Sequence, residues 1–362
     1  MAEPSSPVKE FVAAHFGVPT ADLNISRLTG DASTRSYFRA HTAGETGSIV
    51  IAIYDAPFDD TRTAVERLRS LERKNPLAKL TFANDPCAHI EVTDLLVTVG
   101  LPVPKILGVL GAEGAMLFED VGDSRLQDWL AGKSEDTVTA AYTQALEFIV
   151  TMQEATPEAW RSGSICSNLA FDEAKLSWEL EFFFENYFLR YLEANLSESR
   201  TIALKGEFRD LCAELAARPR VLVHRDYHTR NLMMHENKIY IIDHQDARMG
   251  PASYDLASLL EDPYSKLDRV IVSGLIERFL ELKTHSSEPI EDRSEFLTEY
   301  YKMTIQRMLK AIGTYSYQAA VMKNEAYVPY IEPALRSAVS ALEVLSLYPI
   351  IRRAIEYSRA RH

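Results

Sequence analysis

The stretch that decides the fold is VLVHRDYHTRNLMMHENKIYIIDHQDA, residues 221–247. Two apolar runs, 220–223 and 238–242, read as short strands around a polar loop. The loop holds His224-Arg225-Asp226-Tyr227-His228-Thr229-Arg230-Asn231, and the second run passes directly into Asp243. Two carboxylates and one amide thus arrive on one loop and one strand end, spaced Asp–x4–Asn–x11–Asp. Phosphoryl transfer uses all three. An acceptor hydroxyl needs a carboxylate to orient it and take its proton, here Asp226. Mg²⁺ bridging the phosphates needs oxygen ligands, here Asn231 and Asp243. A metallohydrolase built on His224, Asp226 and His228 is the competing reading. It leaves Asn231 unused and has only His244 nearby as a further ligand. A plain polar connector would not require so specific a set of acids and amides.

Bulk properties narrow the classes. The chain has 362 residues, 46% hydrophobic and 25% charged, enough for two domains at roughly 150 residues each. A net charge of −13 argues against duplex nucleic acid as a partner, because phosphate neutralisation needs clustered Lys and Arg. Cys87, Cys166 and Cys212 are few and far apart, which suits small buried hydrophobes in a reducing compartment better than disulfides or a zinc site. The start, MAEPSSPVKEFVAAHFG, lacks a basic region followed by an apolar core. Apolar runs such as IVIAIY are too short to span a bilayer. A cytoplasmic enzyme or binding protein with no membrane partner is the expectation.

Patterning divides the chain. Residues 8–16 form an amphipathic helix with Val8, Phe11, Val12 and Phe16 on one face. Ser36–His41 and Ser48–Tyr54 read as a hairpin, residues 60–74 and 86–99 as helices, and Lys105–Leu110 and Ala115–Glu119 as strands. Helical periodicity then covers 135–155, 172–195, 199–217, 264–283, 291–315 and 328–357, with no strands but the two of the opening motif. The expected fold class is α+β: a small β-rich unit over 1–119, with a nucleotide-covering hairpin, and a larger mainly helical unit over 120–362 carrying the catalytic loop and acceptor site.

The segment HRDYHTRNL…IIDHQDARMGPASYDLASLL resembles the catalytic segment of the aminoglycoside-phosphotransferase-like small-molecule kinases, relatives of the protein kinases. Further similarity runs from LTGDASTRSYFR through EVTDLLVTVGLPVPKIL and MLFEDVGD to YYKMTIQRMLKAIGTYSYQAA. GDAS, SYFR and QRMLKAIG look most like the kinases that phosphorylate the anomeric hydroxyl of N-acetylmuramate and N-acetylglucosamine in cell-wall recycling. The resemblance implies a bilobal protein-kinase-like fold, ATP and Mg²⁺ as cofactors, and an amino sugar as acceptor. It places Gly30, Asp31, Ala32 and Ser33 in a phosphate-covering hairpin. Phe118, Glu119, Asp120 and Val121 become the connector that pairs with adenine, Glu91 the small-unit helix glutamate, and Asp255 a structural acid.

One departure stands out. The third strand of such kinases ends in a lysine that pairs the phosphates and the helix glutamate. Here SIVIAIYDAP puts Ile53 or Tyr54 in that place, and no lysine lies between Lys9 and Lys74. Phosphate charge then falls to Mg²⁺ and to Arg35 or Arg39, or else the protein binds nucleotide with little turnover. For the acceptor, Arg230, Gln245, Asp246 and Arg307 are candidates. An aminoglycoside, choline or homoserine-type substrate is the alternative within the same fold. The aromatic run FDEAKLSWELEFFFENYFLRYLEANL reads first as a core helix and second as a sugar platform, with Glu179, Glu181 and Glu185 first on a solvated face and second reaching an acceptor pocket.

Overall fold

A computed structural model of the chain describes residues 3–28, 35–42 and 47–359. The chain forms two compact units. The first takes in residues 1–124, 162–165 and 233–246, so the motif strand ending in Asp243 returns to the β-rich unit. A simple division at 119/120 does not describe that return.

In the first unit, α1 (Ser6–Phe16) starts at the Ser5 cap and stops at Gly17, whose φ of 69° favours glycine. It is followed by β1 (Leu23–Arg27), β2 (Ser36–Thr42), β3 (Ser48–Ile53), α2 (Ala64–Glu72), α3 (Ala78–Thr81), α4 (Pro86–Thr98), β4 (Ile106–Leu110) and β5 (Ala115–Glu119). The five strands are antiparallel in the order β1-β2-β3-β5-β4. Because strand side chains alternate between faces, Phe38, Ile51 and Leu117 line up across three strands. They bury against Val8 and Val12 of α1. β4 bulges between Ile106 and Gly108, where a Cβ on Gly108 would come within 2.7 Å of the Phe11 ring. β1 was not apparent from the sequence: LNISR is an edge strand with no fully buried position.

The second unit comprises residues 125–161, 166–232 and 247–362. Along the chain come α5 (Leu126–Leu130), α6 (Glu135–Glu154), α7 (Thr156–Ser162), α8 (Ile165–Asn168) and α9 (Glu173–Phe183), which runs into a π-helical turn over Phe184–Tyr191. After α10 (Glu198–Ala216), β6 (Arg220–Val223) leads into the catalytic loop. β7 (Leu232–His235) and β8 (Lys238–Ile241) form a tight hairpin whose turn residues Glu236 and Asn237 both have positive φ. Backbone bonds from Met234 to Ser124 and from Ile241 to Pro102 tie this hairpin to the first unit. β9 (Arg248–Pro251) pairs antiparallel with β6. Then follow α11 (Tyr254–Leu260), α12 (Arg269–Thr284), α13 (Arg293–Ala320), a 3₁₀ turn over Glu325–Tyr330, α14 (Ile331–Leu345) and α15 (Pro349–Arg359).

β7 and β9 correct the expectation that this half held only the two motif strands; both are four residues long and β9 ends in Gly-Pro. The helix expected over 328–357 is broken at Ser346, whose φ is 54°. α13 has 28 residues and so spans about 42 Å. It lies so close to α9 that a Cβ on Gly313 would sit 2.7 Å from the Phe183 Cα. Cys87, Cys166 and Cys212 are buried, and none of the three is in a disulfide.

Candidate active site

The catalytic loop belongs to the second unit and is held by carboxylates from α11 and the segment after it. Asp255 accepts the backbone N–H groups of His224 (2.6 Å) and Arg225 (3.1 Å). These bonds fix Arg225 at a φ of 90°, a conformation that costs a non-glycine residue energy and persists only where its surroundings enforce it. The His224 ring is fully buried, and its Nδ1 accepts the Asp226 N–H at 3.3 Å. Further along, Asp262 uses one oxygen for the N–H and hydroxyl of Thr229 and the other for the N–H of Tyr264. Asn231 donates its Nδ2 to the Asp226 carbonyl at 2.9 Å, which directs its Oδ1 away from that bond.

The Asp226 carboxylate is a quarter exposed and surrounded by cations. Lys310 of α13 donates to Oδ1 at 2.7 Å, Arg307 approaches the same oxygen at 3.4 Å, and the Arg225 Nε lies 3.7 Å from Oδ2. Burial by itself pushes this carboxyl up, but Lys310, Arg225 and Arg307 outweigh it and hold it well below the usual range. Burial drives the Lys310 ammonium the other way, down from its ordinary value. Arg307 also donates to the Tyr254 hydroxyl at 3.1 Å, with its guanidinium over the Tyr254 ring. Arg307, an acceptor candidate in the sequence, thus lies beside Asp226, with Nη1 bonded to Tyr254 and a buried Nε that has no hydrogen-bond partner among the described residues. Lys310 escaped the sequence reading. Its signal was the three-residue spacing from Arg307 in QRMLK, which puts both side chains on one helix face.

Asp243 ends β8 in the first unit at a φ of 62°, a conformation Asp tolerates better than most residues. Its Oδ1 accepts from Arg35 Nη2 and from Gln245 Nε2, both at 3.0 Å, while Oδ2 is not used in either bond. Arg35 is 6% exposed, and its Nη1 lies 3.4 Å from His89 Nδ1. The Tyr54 hydroxyl meets the same nitrogen at 2.9 Å. Burial, with His244 and Arg35 nearby, holds the His89 pKa well below its ordinary value, so the imidazole is neutral. Where a lysine was missing, Tyr54 and His89 stand behind an arginine from the start of β2.

Other expected residues have different surroundings. Both oxygens of Glu91 accept backbone N–H groups, from Ala64 at 2.6 Å and Ile165 at 2.9 Å. They are the first residues of α2 and α8, so Glu91 satisfies helix N-termini. The resemblance had implied a cofactor role for it. Phe118 and Val121 are buried, and Glu119 bonds Lys105. Asp120 accepts from Arg39, Ser48 and the Gly122 N–H. Asp246 accepts the Asn84 N–H at 2.8 Å, and the Arg230 guanidinium lies 4.5 Å from the Tyr264 ring centroid. Gly30, Asp31, Ala32 and Ser33 lie outside the described residues. Glu179 is not on a solvated face; it is 2% exposed and bonded to Gln306.

The donor set suits Mg²⁺, which takes one or two protein oxygens and completes its shell with phosphates and water. Asn231 Oδ1 in the second unit and Asp243 Oδ2 in the first are each an oxygen of that kind. Among the described residues no three His, Cys, Asp or Glu side chains converge as a metal site, so the ligand trio of a zinc hydrolase is not assembled.

A small antiparallel sheet, a helical second unit and an ionised loop carboxylate define a kinase-like enzyme that phosphorylates a small molecule. The family model described as APH, phosphotransferase enzyme family, matches residues 24–289, and the chain belongs to that family. It is 31% identical over 310 residues to the N-acetylmuramate/N-acetylglucosamine kinase of Pseudomonas aeruginosa, covering 84% of this chain and 80% of that one. A protein of the same name from Neisseria meningitidis serogroup B is 28% identical over 82% of this chain and 79% of its own. Among solved structures, the ADP-bound aminoglycoside phosphotransferase APH(2'')-Ib has the same fold, with a TM-score of 0.55 at 13% identity, covering 93% of this chain and 98% of that one. Among the described residues no helix is long and apolar enough to cross a membrane.

Proposed function

We propose that the protein transfers the γ-phosphoryl group of ATP to the anomeric hydroxyl of N-acetylmuramate or N-acetylglucosamine, giving ADP and the sugar 1-phosphate. The observation that carries this reading is the similarity to a kinase of that name across 84% of the chain. The surroundings of Asp226 support it. The anomeric oxygen bonds to the γ-phosphorus, the bond from that phosphorus to the β–γ bridging oxygen breaks, and the hydroxyl proton passes to Asp226. Holding Asp226 ionised makes it a weak base but a permanent acceptor. That suffices where the transition state is loose and bond formation to the nucleophile lags. Asn231 and Asp243 are the residues that would hold Mg²⁺, which when bound would supply charge neutralisation on the phosphates. Arg35 adds a fixed cation beside Asp243 in place of the strand lysine, which weighs against a nucleotide-binding protein without turnover.

The test is ADP release with Mg²⁺–ATP against N-acetylmuramate, N-acetylglucosamine, kanamycin, choline and homoserine. Turnover with an amino sugar, together with loss of its reducing end, is the expected result. Release with choline or homoserine alone, or a product that still reduces, would overturn the assignment.

A further inference from the structure

Most aromatic residues of the α9 segment belong to the core: Phe171, Phe183, Phe184, Tyr187 and Phe188 are buried, and Trp178 is exposed. A different aromatic group sits beside the catalytic loop. Tyr264 packs edge-on to the His228 ring at 5.3 Å, to Tyr330 at 4.5 Å and to Tyr315 at 5.8 Å between centroids. Tyr327 stacks on Tyr315 at 5.8 Å with 19° between planes. Tyr315 is buried, whereas Tyr264, Tyr327 and Tyr330 are half-exposed.

Three connections make this cluster part of the reaction centre. Asp262, 4% exposed, grips Thr229 of the catalytic loop with one oxygen and the Tyr264 backbone with the other. Gln127 fixes the Tyr264 carbonyl from a second direction at 3.1 Å. Tyr315 follows Lys310 by five residues on α13, a rise of roughly 7.5 Å from the residue that holds the base. His228, two residues beyond Asp226, has an Nδ1 shielded from water with no hydrogen-bond partner among the described residues. Such an orphan calls for an explanation.

We infer that Tyr327 and Tyr330, seated on Tyr264 and Tyr315 beside His228, form the platform on which the acceptor's pyranose ring stacks. This rests on the sugar-kinase reading. A pyranose presents an apolar C–H face bordered by hydroxyls, and tyrosine offers an apolar ring with a polar tip at low conformational cost. The His228 ring, edge-on to Tyr264, brings ring nitrogens that can exchange a hydrogen bond with a sugar hydroxyl or acetamido group. The platform selects for a ring, whereas Asp226 and Lys310 act on its hydroxyl.

Steady-state kinetics of the Tyr327→Ala/Tyr330→Ala variant test the platform, with Trp160→Ala, an exposed aromatic on α7, as the control. The expected result is a rise of about tenfold or more in KM for the amino sugar, the loss of an aromatic contact worth on the order of 1.4 kcal/mol. KM for ATP and the melting temperature stay at wild-type values, and Trp160→Ala behaves as wild type. An unchanged sugar KM overturns the platform and leaves the sugar kinase standing. A wild-type enzyme that turns over only non-sugar acceptors overturns both. Should the double variant melt early, Tyr330→Leu, which keeps apolar volume, replaces it in the same assay with the same readings.

Discussion

Lys310 Nζ donates to Asp226 Oδ1 at 2.7 Å, so the proposed base carries a permanent cationic partner delivered by α13. Asp226→Asn keeps the shape and removes the proton acceptor. Turnover should fall by about 10²-fold or more, while ATP binding, followed by nucleotide fluorescence, is retained. An Asn variant with wild-type turnover would remove Asp226 from the chemistry.

Lys310→Met deletes the shortest charge contact to Asp226 but leaves Arg307 and Arg225 in place. We expect kcat to drop on the order of 10²-fold, with KM for ATP changed far less. A raised KM with kcat unchanged would instead indicate that Lys310 contributes only uniform binding.

In the proposed reaction Arg35, paired with Asp243, supplies the cation that the third strand lacks. Arg35→Met should raise KM for ATP by about tenfold, the effect of one charge-assisted contact worth on the order of 1.5 kcal/mol. Arg35→Lys should recover part of it, since a lysine keeps the charge but not the two-pronged geometry. ATP titrations by calorimetry read this directly; identical affinities for wild type and Arg35→Met would assign Arg35 to folding alone.

Lys175 is 3% exposed and lies 3.6 Å from Glu179, with its ammonium 4.2 Å from the Trp178 ring centroid. Burial outweighs Glu179 and pushes its pKa down to about 7. Unfolded, the same ammonium titrates near 10.5, so between those values the unfolded chain binds more protons and stability rises with pH. Lys175→Met loses that rise and strands Glu179, at a cost of about 3 kcal/mol. Urea midpoints of wild type and variant should therefore separate further at pH 9 than at pH 7. A constant gap would show that Lys175 titrates normally.

Gly313→Ala sets two effects against each other. Helix propensity gains about 1 kcal/mol, but the new methyl meets the Phe183 backbone at 2.7 Å, and neither helix can yield without shifting its neighbours. Overpacking of this kind costs about 1–3 kcal/mol, so the melting temperature should fall. Because Lys310 lies less than one turn away, kcat should fall with it. A more stable variant would mean that α9 and α13 separate freely.

The part of the site readable from sequence was the part whose chemistry is local. Asp226, Asn231 and Asp243 lie within one strand–loop–strand span, and the spacing itself suggested their roles. Lys310 and Asp262 meet that loop only through tertiary packing, and nothing within a window around position 226 signals them. Glu91 shows what a helix position leaves open. A family match placed it on the right helix, but a helix position does not say which face is used: His89 and Thr93 take the inner side of α4, and Glu91 turns to the starts of two other helices. Glu179 was misread because a Lys and a Glu four residues apart are usually a surface pair; here both are buried. The fold class was legible because the small sheet alternates cleanly at Phe38, Ala40, Ile49 and Ile51. The short strands β7 and β9 were not, being too brief to carry a period.

The counter-ion of the base lies 84 residues downstream of it, beyond position 289, where the family match ends. On the ribosome, the strand–loop–strand motif is synthesised well before α13. Domains fold as units while the chain emerges N-terminus first, so the nascent polypeptide holds a complete-looking signature motif while still lacking a working centre. In the proposed reaction, catalytic competence arrives only when roughly the last fifth of the chain, from Arg293 onward, is released and packs. A message truncated before codon 310 would yield a protein that keeps the family's signature and has no phosphoryl-transfer activity.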